Sequence, residues 1–463
     1  MKDKKTRIEK DSMGTIKVPY DALYGAQTQR AINNFPVSGI TFYKEFIYAI
    51  VLIKKSAAVV NFKLGYLDKD IKDVILKACN QILDGKHDDQ FPVDIFQTGS
   101  GTSTNMNTNE VIANLANSLG ENKLKGKVHP NDHVNFGQSS NDTIPTAINI
   151  SVSLSMKNNL IPFLDELIKS VTKKEKEFNS FLKLGRTHLQ DATPITLGQE
   201  FSAYKELLIK SKSRLNSCFV NLSRLPQGGT AVGTGLNTDR DFGKLIAQEL
   251  TKNTKISFRE TPNHFEAQSA QDCSLEVSSN LKALAVSLSK IANDIRWLAS
   301  GPRSGLGELI LPSIQPGSSI MPGKVNPVIC ESMLQVCAQV ISNDLSITLG
   351  GLGSILELNL MLPLIAHNLL FSINILSNSM NLFRTKLIDD IKADKDKCMS
   401  YIDGSLAMCT SLAPIIGYDS AAKIAYEAYQ TGKTIKELVL EKEILNADEV
   451  KKFLNPESMI KPK

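Results

Sequence analysis

The sequence contains few cysteines, and their spacings do not form a metal-binding or redox motif. Seven cysteines occur among 463 residues, and no two of them form a CxxC pair. A disulfide-stapled secreted fold is therefore disfavoured, and a reduced, cytosol-like compartment fits best. The six histidines are spread along the chain without an HExxH motif or a Cys/His cluster, which argues against a structural or catalytic zinc ion.

The chain also lacks a strong excess of either charge. Fifty-three Lys and Arg residues face 48 Asp and Glu residues, which gives a net charge of +5. The longest basic run is "KDKK" at the N-terminus, which is too short for a polybasic arm. A nucleic-acid surface is therefore not expected.

No long apolar run suggests a membrane span or a targeting segment. Residues 345–383 carry a single full charge, on Glu357, but asparagine and histidine interrupt the stretch at positions 359, 367, 368, 374 and 378. A span needs about 20 mostly apolar residues, so we interpret the stretch as a buried helix with polar patches. The first 14 residues contain acids and no apolar region, so we expect a cytoplasmic protein, or a mitochondrial matrix protein if a eukaryotic chain is processed.

The pattern that is present is helical periodicity. The clearest example is 264–299, where apolar residues repeat with alternating spacings of four and three, namely Val277, Leu281, Leu284, Leu288, Ile291, Ile295 and Leu298. Such a heptad seam packs against neighbouring helices at a shallow angle. Comparable helices are predicted at about 142–176, 194–223, 327–349 and 355–385. Five long helices predict a mostly α fold with an elongated central bundle.

Smaller domains are expected on either side of this bundle. Residues 1–139 are predicted to form a mixed, mostly helical N-terminal domain, with one short strand at 14–19. Residues 140–395 form the central bundle domain, and residues 396–463 a small helical C-terminal domain. Within the last, helix start signals occur at Asp419-Ser420 and at Thr434.

Four polar segments, rich in Ser, Thr, Asn and Gly, are each predicted to run into a helix. They are "TGSGTSTNMNTNE" (98–110), "GQSSNDTIPTA" (137–147), "GRTHLQDATP" (185–194) and "GSSIMPGKVNP" (317–327). Taken singly, each has the composition of a helix cap. Helix N-termini offer free N–H groups and partial positive charge, so segments that converge in space would bind a small anion.

Two glycine-containing stretches resemble nucleotide-binding motifs without meeting their requirements. In 317–327, five residues instead of four separate Gly317 from Gly323, and valine follows the lysine, so a Walker loop is excluded. The stretch "GGTAVGTGLN" at 228–237 lacks the third glycine of GxGxxG and a strong preceding strand. We interpret it as a tight turn between helices.

Two titratable residues add chemistry to the polar segments. Lys324 precedes a helix that Asn326 is expected to cap and Pro327 to begin. His188 adds an imidazole, which can donate or accept a proton, although a lone histidine is more often structural. If Glu331 reaches its imidazole, the carboxylate would fix the tautomer and favour the protonated form.

Together these motifs resemble the fumarase/aspartase superfamily, and class II fumarases in particular. The similarity extends in matching order over nearly the whole chain. It includes "YGAQTQRA", "FQTGSGTSTNMNTNE", "HPNDHVN", "GQSSND", "GRTHLQDATP", "GGTAVGTGLNT", "RWLASGPRSGLGE", "GSSIMPGKVNP" and "IGYDSAAKIA".

The resemblance implies a fumarate hydratase of the tricarboxylic acid cycle. Such an enzyme adds water to fumarate in a reversible anti addition and gives (S)-malate through an aci-carboxylate intermediate. The resemblance implies no metal or organic cofactor. The additional charge of the intermediate requires prearranged hydrogen-bond donors in a water-poor site.

The resemblance also implies roles for individual residues. Ser318 would be the base at C3, His188 with Glu331 would handle the water at C2, and Lys324 would stabilise the developing charge. Substrate-binding positions would be Ser100, Gly101, Thr102, Ser139, Ser140, Asn141, Thr187, Ser319, Lys324, Val325 and Asn326. A second anion site would comprise His129, Pro130, Asn131 and Asp132, with Gly126 where some relatives carry arginine.

The implied assembly is a homotetramer with a twenty-helix core and active sites shared among three subunits, without nucleic-acid or membrane partners. The alternatives are an aspartate ammonia-lyase, whose relatives generally carry Gln in place of His188, and a non-catalytic structural homologue. Argininosuccinate and adenylosuccinate lyases share the loop at 317–327 but match the other motifs less well.

Overall fold

The computed structural model describes residues 5–120, 124 and 126–462, and these residues are mostly helical. The predicted mostly α fold is confirmed. Most of the "KDKK" run and small parts of the predicted N- and C-terminal domains lie outside the described residues.

The chain folds into two compact units, each built from three stretches of sequence. The first unit comprises Met1–Pro162, Ser213–Ala283 and Ala338–Ser377. The second comprises Phe163–Lys212, Leu284–Cys337 and Asn378–Lys463. The division into three consecutive domains stays a prediction. The two units are defined by their compactness in space, whereas the predicted domains follow the order of the sequence.

The N-terminal part of the first unit combines a hairpin with four helices. Strands β1 and β2 pair in antiparallel fashion, and they are Thr6–Asp11 and Gly14–Pro19. The predicted strand at 14–19 is confirmed, and its partner β1 was not anticipated. The helices that follow are α1 (Ala26–Asn34), α2 (Lys44–Lys63), α3 (Lys69–Leu83) and α4 (Thr102–Gly120).

The five predicted long helices are present with shifted ends or interruptions. The first is α5 (Ser140–Ser155), a π-helical turn (Met156–Leu160) and α6 (Ile161–Glu177); the second is α7 (Leu197–Ser217) with the short α8 (Phe219–Leu222). After α9 (Phe242–Thr254) come α10 (His264–Ser269), α11 (Asp272–Leu298), α12 (Val328–Gly351) and α13 (Leu362–Phe383).

The predicted helix at 264–299 is thus divided in two, because Ala270 adopts an extended backbone that ends α10. The heptad seam itself is confirmed. Its six residues from Val277 to Ile295 are at most 1% exposed, and Leu298 is 5% exposed.

The C-terminal helices belong to the second unit. They are α14 (Lys395–Gly404), α15 (Ala413–Ile416), α16 (Tyr418–Thr431), α17 (Ile435–Glu441) and α18 (Ala447–Phe453). Helix α17 starts after Thr434, as predicted, and the structure shows that Thr434 caps it through a capping box with Glu437. Helix α16 begins one residue before the Asp419-Ser420 signal. Buried apolar residues of this region form one cluster with Leu184, including Ile402, Leu412, Ile424, Leu438 and Val439.

The remaining strands are short and pair in twos. An antiparallel hairpin is formed by β3 (Leu182–Thr187) and β4 (Gln190–Thr196). The others are β5 (Arg224–Leu225), β6 (Arg259–Glu260), β7 (Leu309–Ile310), β8 (Ser354–Ile355), β9 (Leu358–Asn359) and β10 (Lys392–Ala393). The pairs are β5 with β6, which run parallel, β7 with β10, and β8 with β9.

The apolar stretch and the glycine-rich stretch singled out in the sequence differ in outcome. The described helices include none that is both long and apolar enough to cross a membrane. Residues 228–237 lie in the connection between β5 and α9, which is a longer loop than the tight turn that we predicted.

We expect the cysteines to react slowly with thiol reagents in the native protein. All seven are free thiols, and burial raises the pKa of each of them, to about 12 for Cys79, Cys273, Cys330 and Cys398. Because the thiolate is the nucleophile, only a small fraction should react with Ellman's reagent near neutral pH, and all seven after denaturation. Rapid reaction of most thiols in the native protein would show that the cysteine side chains are not buried in this way.

Candidate active site

Three predicted substrate-binding hydroxyl groups lie together in the first unit. Ser100 and Thr102 share a hydrogen bond of 2.7 Å, and Thr102 shares another of 2.7 Å with Ser140. Thr102 begins α4 and Ser140 begins α5, so the chain of hydroxyl groups connects two helix N-termini. Free N–H groups and hydroxyl donors at one place suit the binding of an anion.

Glycines permit the backbone to approach this position. Gly101 has a φ of +72°, which favours glycine. A Cβ atom on Gly99 would lie 2.0 Å from the carbonyl oxygen of Leu360. The peptide that precedes α4 therefore passes too close to its neighbour for any other residue at position 99.

The start of α5 is fixed by its own side chains. Ser139 caps the helix by accepting a hydrogen bond from the Asn141 N–H at 3.2 Å, and its own N–H donates to Asp142 Oδ1 at 2.9 Å. The amide group of Asn141 donates to the carbonyl oxygen of Ala231 at 2.9 Å. Ser139, Ser140 and Asn141 are therefore held in one tight arrangement.

The glycine-rich loop 228–237 also contributes to this arrangement, which the sequence pattern did not predict. Asp142 Oδ2 accepts hydrogen bonds from the N–H groups of Gly228 and Thr230, both at 3.0 Å. The spacing of Ser139 and Asp142 is that of a capping box, which could have marked Asp142. Nothing in the sequence indicates that its second oxygen binds a loop about 90 residues further along the chain.

The predicted loop 317–327 closes on itself in the second unit. The Gly317 N–H donates to the carbonyl oxygen of Lys324 at 2.8 Å, and the amide group of Asn326 donates to the carbonyl oxygen of Gly317 at 2.6 Å. The prediction that Pro327 begins the helix was wrong by one residue, since α12 begins at Val328. The amide of Asn326 bridges the two ends of the loop, a contact that the expected capping role did not include.

Inside this loop, the Ser318 hydroxyl oxygen accepts two backbone hydrogen bonds. The donors are the N–H groups of Ile320, at 3.2 Å, and of Met321, at 3.0 Å. Lys324 is exposed, and within the described ranges its ammonium group forms no ion pair. The loop borders an open cavity of about 540 Å³ that Ser318, Lys324 and Val325 help to line, and Ser319 next to them is exposed.

The segment 185–194 does not run into a helix as predicted, because it forms the turn of the β3–β4 hairpin. Thr187 pairs with Gln190, so the turn consists of His188 and Leu189, with φ values of +55° and +60°. A two-residue turn with positive φ at both positions matches the right-handed twist of paired strands. Thr187 and His188 are both exposed at this turn.

Buried ion pairs anchor the hairpin. Arg186 Nη1 donates to both oxygens of Glu308 at 3.0 Å, and Lys183 Nζ lies 3.3 Å from Glu308 and 3.0 Å from Glu200. Glu308 and Lys183 are at most 1% exposed. Burial raises the pKa of Glu200 and the charge of Lys183 opposes that shift.

The predicted pairing of His188 with Glu331 is not formed in the part of this chain that the structure describes, where no hydrogen bond or ion pair joins them. Glu331 lies exposed in the first turn of α12. Both side chains are exposed, and their pairing stays a prediction.

The predicted second anion site is internally hydrogen-bonded. His129 caps the short π-helical segment Pro130–Val134, and its Nδ1 accepts from the N–H groups of Asn131, at 3.3 Å, and Asp132, at 3.1 Å. A carboxylate oxygen of Asp132 also lies 3.1 Å from Nδ1. A Cβ atom on Gly126 would meet nothing within 4 Å. The role of this segment in anion binding stays a prediction.

The first unit provides hydroxyl and N–H donors for a negative charge. The second unit provides Lys324, His188 and Ser318, whose oxygen receives two N–H groups. These are the components of acid–base chemistry on an anionic substrate. In the described part of the chain, no group of three or more His, Cys, Asp or Glu side chains is arranged to hold a metal ion.

Two family models match the chain. A lyase family model matches residues 14–342, and a model described as the C-terminus of fumarase C matches residues 408–461. The lyase match includes all four polar segments, at 98–110, 137–147, 185–194 and 317–327.

Similar proteins share most of the length of the chain. A class II fumarate hydratase of Prochlorococcus marinus is 51% identical over 98% of this chain and 98% of its own length, and one of Campylobacter jejuni is 47% identical over 99% of both. Among solved structures, a class II fumarase from Schistosoma mansoni has a TM-score of 0.96 at 39% identity, covering 98% of this chain and 99% of its own. A protein from Brucella melitensis, described as fumarate lyase:delta crystallin bound to cobalt, has a TM-score of 0.95 at 42% identity, with coverages of 99% and 100%.

We expect Glu308→Gln to destabilise the protein and loosen the hairpin that carries Thr187 and His188. Because the substitution leaves Arg186 and Lys183 short of a buried counter-charge, the free energy of unfolding should fall by about 3 kcal/mol. Urea unfolding at fixed protein concentration measures this change.

A matched control is Glu166→Gln, which breaks the solvent-exposed ion pair with Lys169 in the same unit. Exposed pairs contribute little to stability, so this variant should unfold like the wild type. Equal behaviour of the two variants would show that the Glu308 network does not anchor the hairpin.

Proposed function

We propose a mechanism for this chain, which belongs to the family of class II fumarate hydratases and is a hydro-lyase that interconverts fumarate and (S)-malate. The chemical difficulty is the C3 proton of malate, which is very weakly acidic. Its removal becomes feasible if the adjacent carboxylate takes up the electron pair as an aci-carboxylate dianion. A site that performs this step must stabilise an additional negative charge where water is scarce.

Ser318 is the base at C3 in this proposal, and its hydrogen bonds are the observation that carries it. A serine hydroxyl is a weak base unless its alkoxide is stabilised. The N–H groups of Ile320 and Met321 already point at Ser318 Oγ, so a negative charge on that oxygen would meet two fixed donors. Lys324 of the same loop supplies a positive charge for the aci-carboxylate, which lowers the energy of the intermediate.

His188 and Glu331 act on the opposite face, at C2. In the hydration direction His188 accepts a proton from the attacking water as the C2–O bond forms, and C3 then takes a proton from Ser318. In the reverse direction the two proton transfers run backwards, and His188 protonates the leaving hydroxide. We propose that Glu331 of another copy of the chain orients this imidazole.

The remaining predicted residues bind the substrate. The linked hydroxyl groups of Ser100, Thr102 and Ser140 are suited to a carboxylate, with Ser139, Asn141 and the Gly101 backbone beside them. Thr187 at the hairpin turn, together with Ser319, Val325 and Asn326 of the loop 317–327, is proposed to complete the binding of the two carboxylates and the malate hydroxyl.

A homotetramer with active sites shared among three subunits is part of the proposal. Helix α12 leaves large apolar side chains exposed in the single chain, with Ile341, Leu345 and Leu349 at 39%, 61% and 53%. Side chains of this kind along one helix suit a contact with other copies, here a twenty-helix core.

We further propose a cytoplasmic role in the tricarboxylic acid cycle, and anion binding at residues 129–132.

The activity itself is tested by one assay with three substrates. We expect fumarate absorbance to fall on hydration and to rise with (S)-malate, with no fumarate or ammonia formed from aspartate. Release of ammonia from aspartate would instead assign the chain as an aspartate ammonia-lyase. Activity with none of the three would indicate a structural homologue.

The role of Ser318 is tested by Ser318→Ala. Loss of the base should lower kcat at least about 100-fold in both directions and leave the oligomeric state unchanged. Ser400→Ala removes an exposed serine on α14 of the same unit and should retain normal kcat. A near-normal rate in Ser318→Ala would refute the assignment of the base.

A further inference from the structure

The carboxylate of Asp142 joins three backbone N–H groups from two separate parts of the first unit. Its Oδ1 accepts from Ser139 at 2.9 Å, and its Oδ2 accepts from Gly228 and Thr230 at 3.0 Å each. The side chain is fully buried. Asp142 thus ties the start of α5 to the loop whose Ala231 carbonyl receives the side-chain amide of Asn141.

A buried lysine holds the segment that leads into α5. Lys54 of α2 is fully buried, and its Nζ donates to Asn135 Oδ1 at 2.8 Å and to Gln138 Oε1 at 3.1 Å. Asn135 Oδ1 also accepts from the side-chain amides of Asn105 and Asn109 of α4, both at 3.2 Å. Residues 135–138 are therefore connected to both α2 and α4 immediately before Ser139.

Burying the charges of Lys54 and Asp142 costs free energy. Burial lowers the pKa of Lys54 to about 7 and raises the pKa of Asp142 to about 6, and each charge partly opposes the shift of the other. An apolar pair of similar volume would avoid this cost. In return, the charged groups form directional hydrogen bonds with nearby donors and acceptors, which apolar side chains could not form.

We propose that Lys54 and Asp142 are positioning residues for substrate binding, which fix Ser139, Ser140 and Asn141 against the hydroxyl groups of Ser100 and Thr102. The inference rests on the proposed function and extends it to residues that do not touch substrate. Lys54 sets the path of the chain into α5, and Asp142 sets the orientation of its first turn.

This arrangement predicts a particular kinetic effect. Ser139, Ser140 and Asn141 are proposed to bind a carboxylate that is present in the substrate and in the transition state alike. Displacing them removes binding energy from both states, which raises KM and leaves kcat nearly unchanged. A role in stability alone would lower the unfolding temperature and leave KM as it is.

The test uses the full-length chain with Asp142→Asn and Lys54→Met. In Asp142→Asn an NH₂ group must face at least one of the three N–H donors. Each variant should raise KM for fumarate and for (S)-malate about tenfold and change kcat less than about threefold. In the double variant the KM effects should be less than additive, because both residues act on the same turn.

Glu110→Gln is the matched control. Glu110 is 7% exposed and accepts the N–H groups of Gly25, Gln27 and Thr28 at 2.8, 2.9 and 3.1 Å, so it also binds three backbone donors, at the start of α1. Its substitution should lower the unfolding temperature while KM stays at the wild-type value. If Asp142→Asn and Lys54→Met only lose stability in the same way, the positioning role is overturned.

Gln138→Leu provides a second route if either variant fails to fold. It removes one of the two acceptors of Lys54 Nζ and leaves both charged residues in place. A KM increase of about threefold, with kcat retained, supports the proposal, and an unchanged KM overturns it. A wild type without hydratase activity would overturn the proposed function and this role with it, whereas an active wild type with unaltered variants overturns the positioning alone.

Discussion

The need to stabilise an additional negative charge on a dicarboxylate is the constraint on which the proposed site depends. Backbone N–H groups at helix starts are suited to this task, because they have no partner within the helix and their positions are fixed. Three of the predicted polar segments place such groups at the starts of α4, α5 and α12. The two backbone N–H groups that donate hydrogen bonds to Ser318 Oγ are likewise fixed in position before the negative charge develops.

Fixed donors require a backbone that cannot relax, and the chain achieves this in two ways. Glycine allows close approach, as at Gly99, where the Leu360 carbonyl leaves no room for a side chain, and at Gly317, where a Cβ atom would lie 2.3 Å from the Lys324 carbonyl oxygen. Buried carboxylates then bind the segments in place. Glu308 does so through Arg186 and Lys183, and Asp142 through three backbone amides. The cost of burying such charges is thus offset by directional contacts next to residues that must not move.

The sequence predicted those features that depend on local pattern. The heptad repeat identified the buried face of α11, and the start signal at Thr434 identified the start of α17, because both signals lie within a few residues of the element they describe. The hairpin turn at His188 and Leu189 was missed because neither residue is a typical turn former, and positive φ at both is imposed by the pairing of β3 with β4. The contact of Asp142 with Gly228 and Thr230 was missed because it spans distant parts of the chain.

The proposed catalytic roles rest on the resemblance of the sequence to class II fumarases. The structure adds contacts in a single chain, among them the linked hydroxyl groups of Ser100, Thr102 and Ser140 and the closed loop around Ser318. It also shows His188 and Glu331 exposed and unpaired with each other in the described part of the chain, as expected if their partners come from other copies.

The most direct measurement is an experimental structure of the assembled protein with (S)-malate or citrate bound. The account predicts one carboxylate within hydrogen-bonding distance, about 3 Å, of the Ser100, Thr102 and Ser140 hydroxyl groups of one copy. Lys324 and Asn326 at the other carboxylate, and His188 near C2, would come from further copies. A ligand bound away from these residues, or a monomer that binds it without them, would contradict the account.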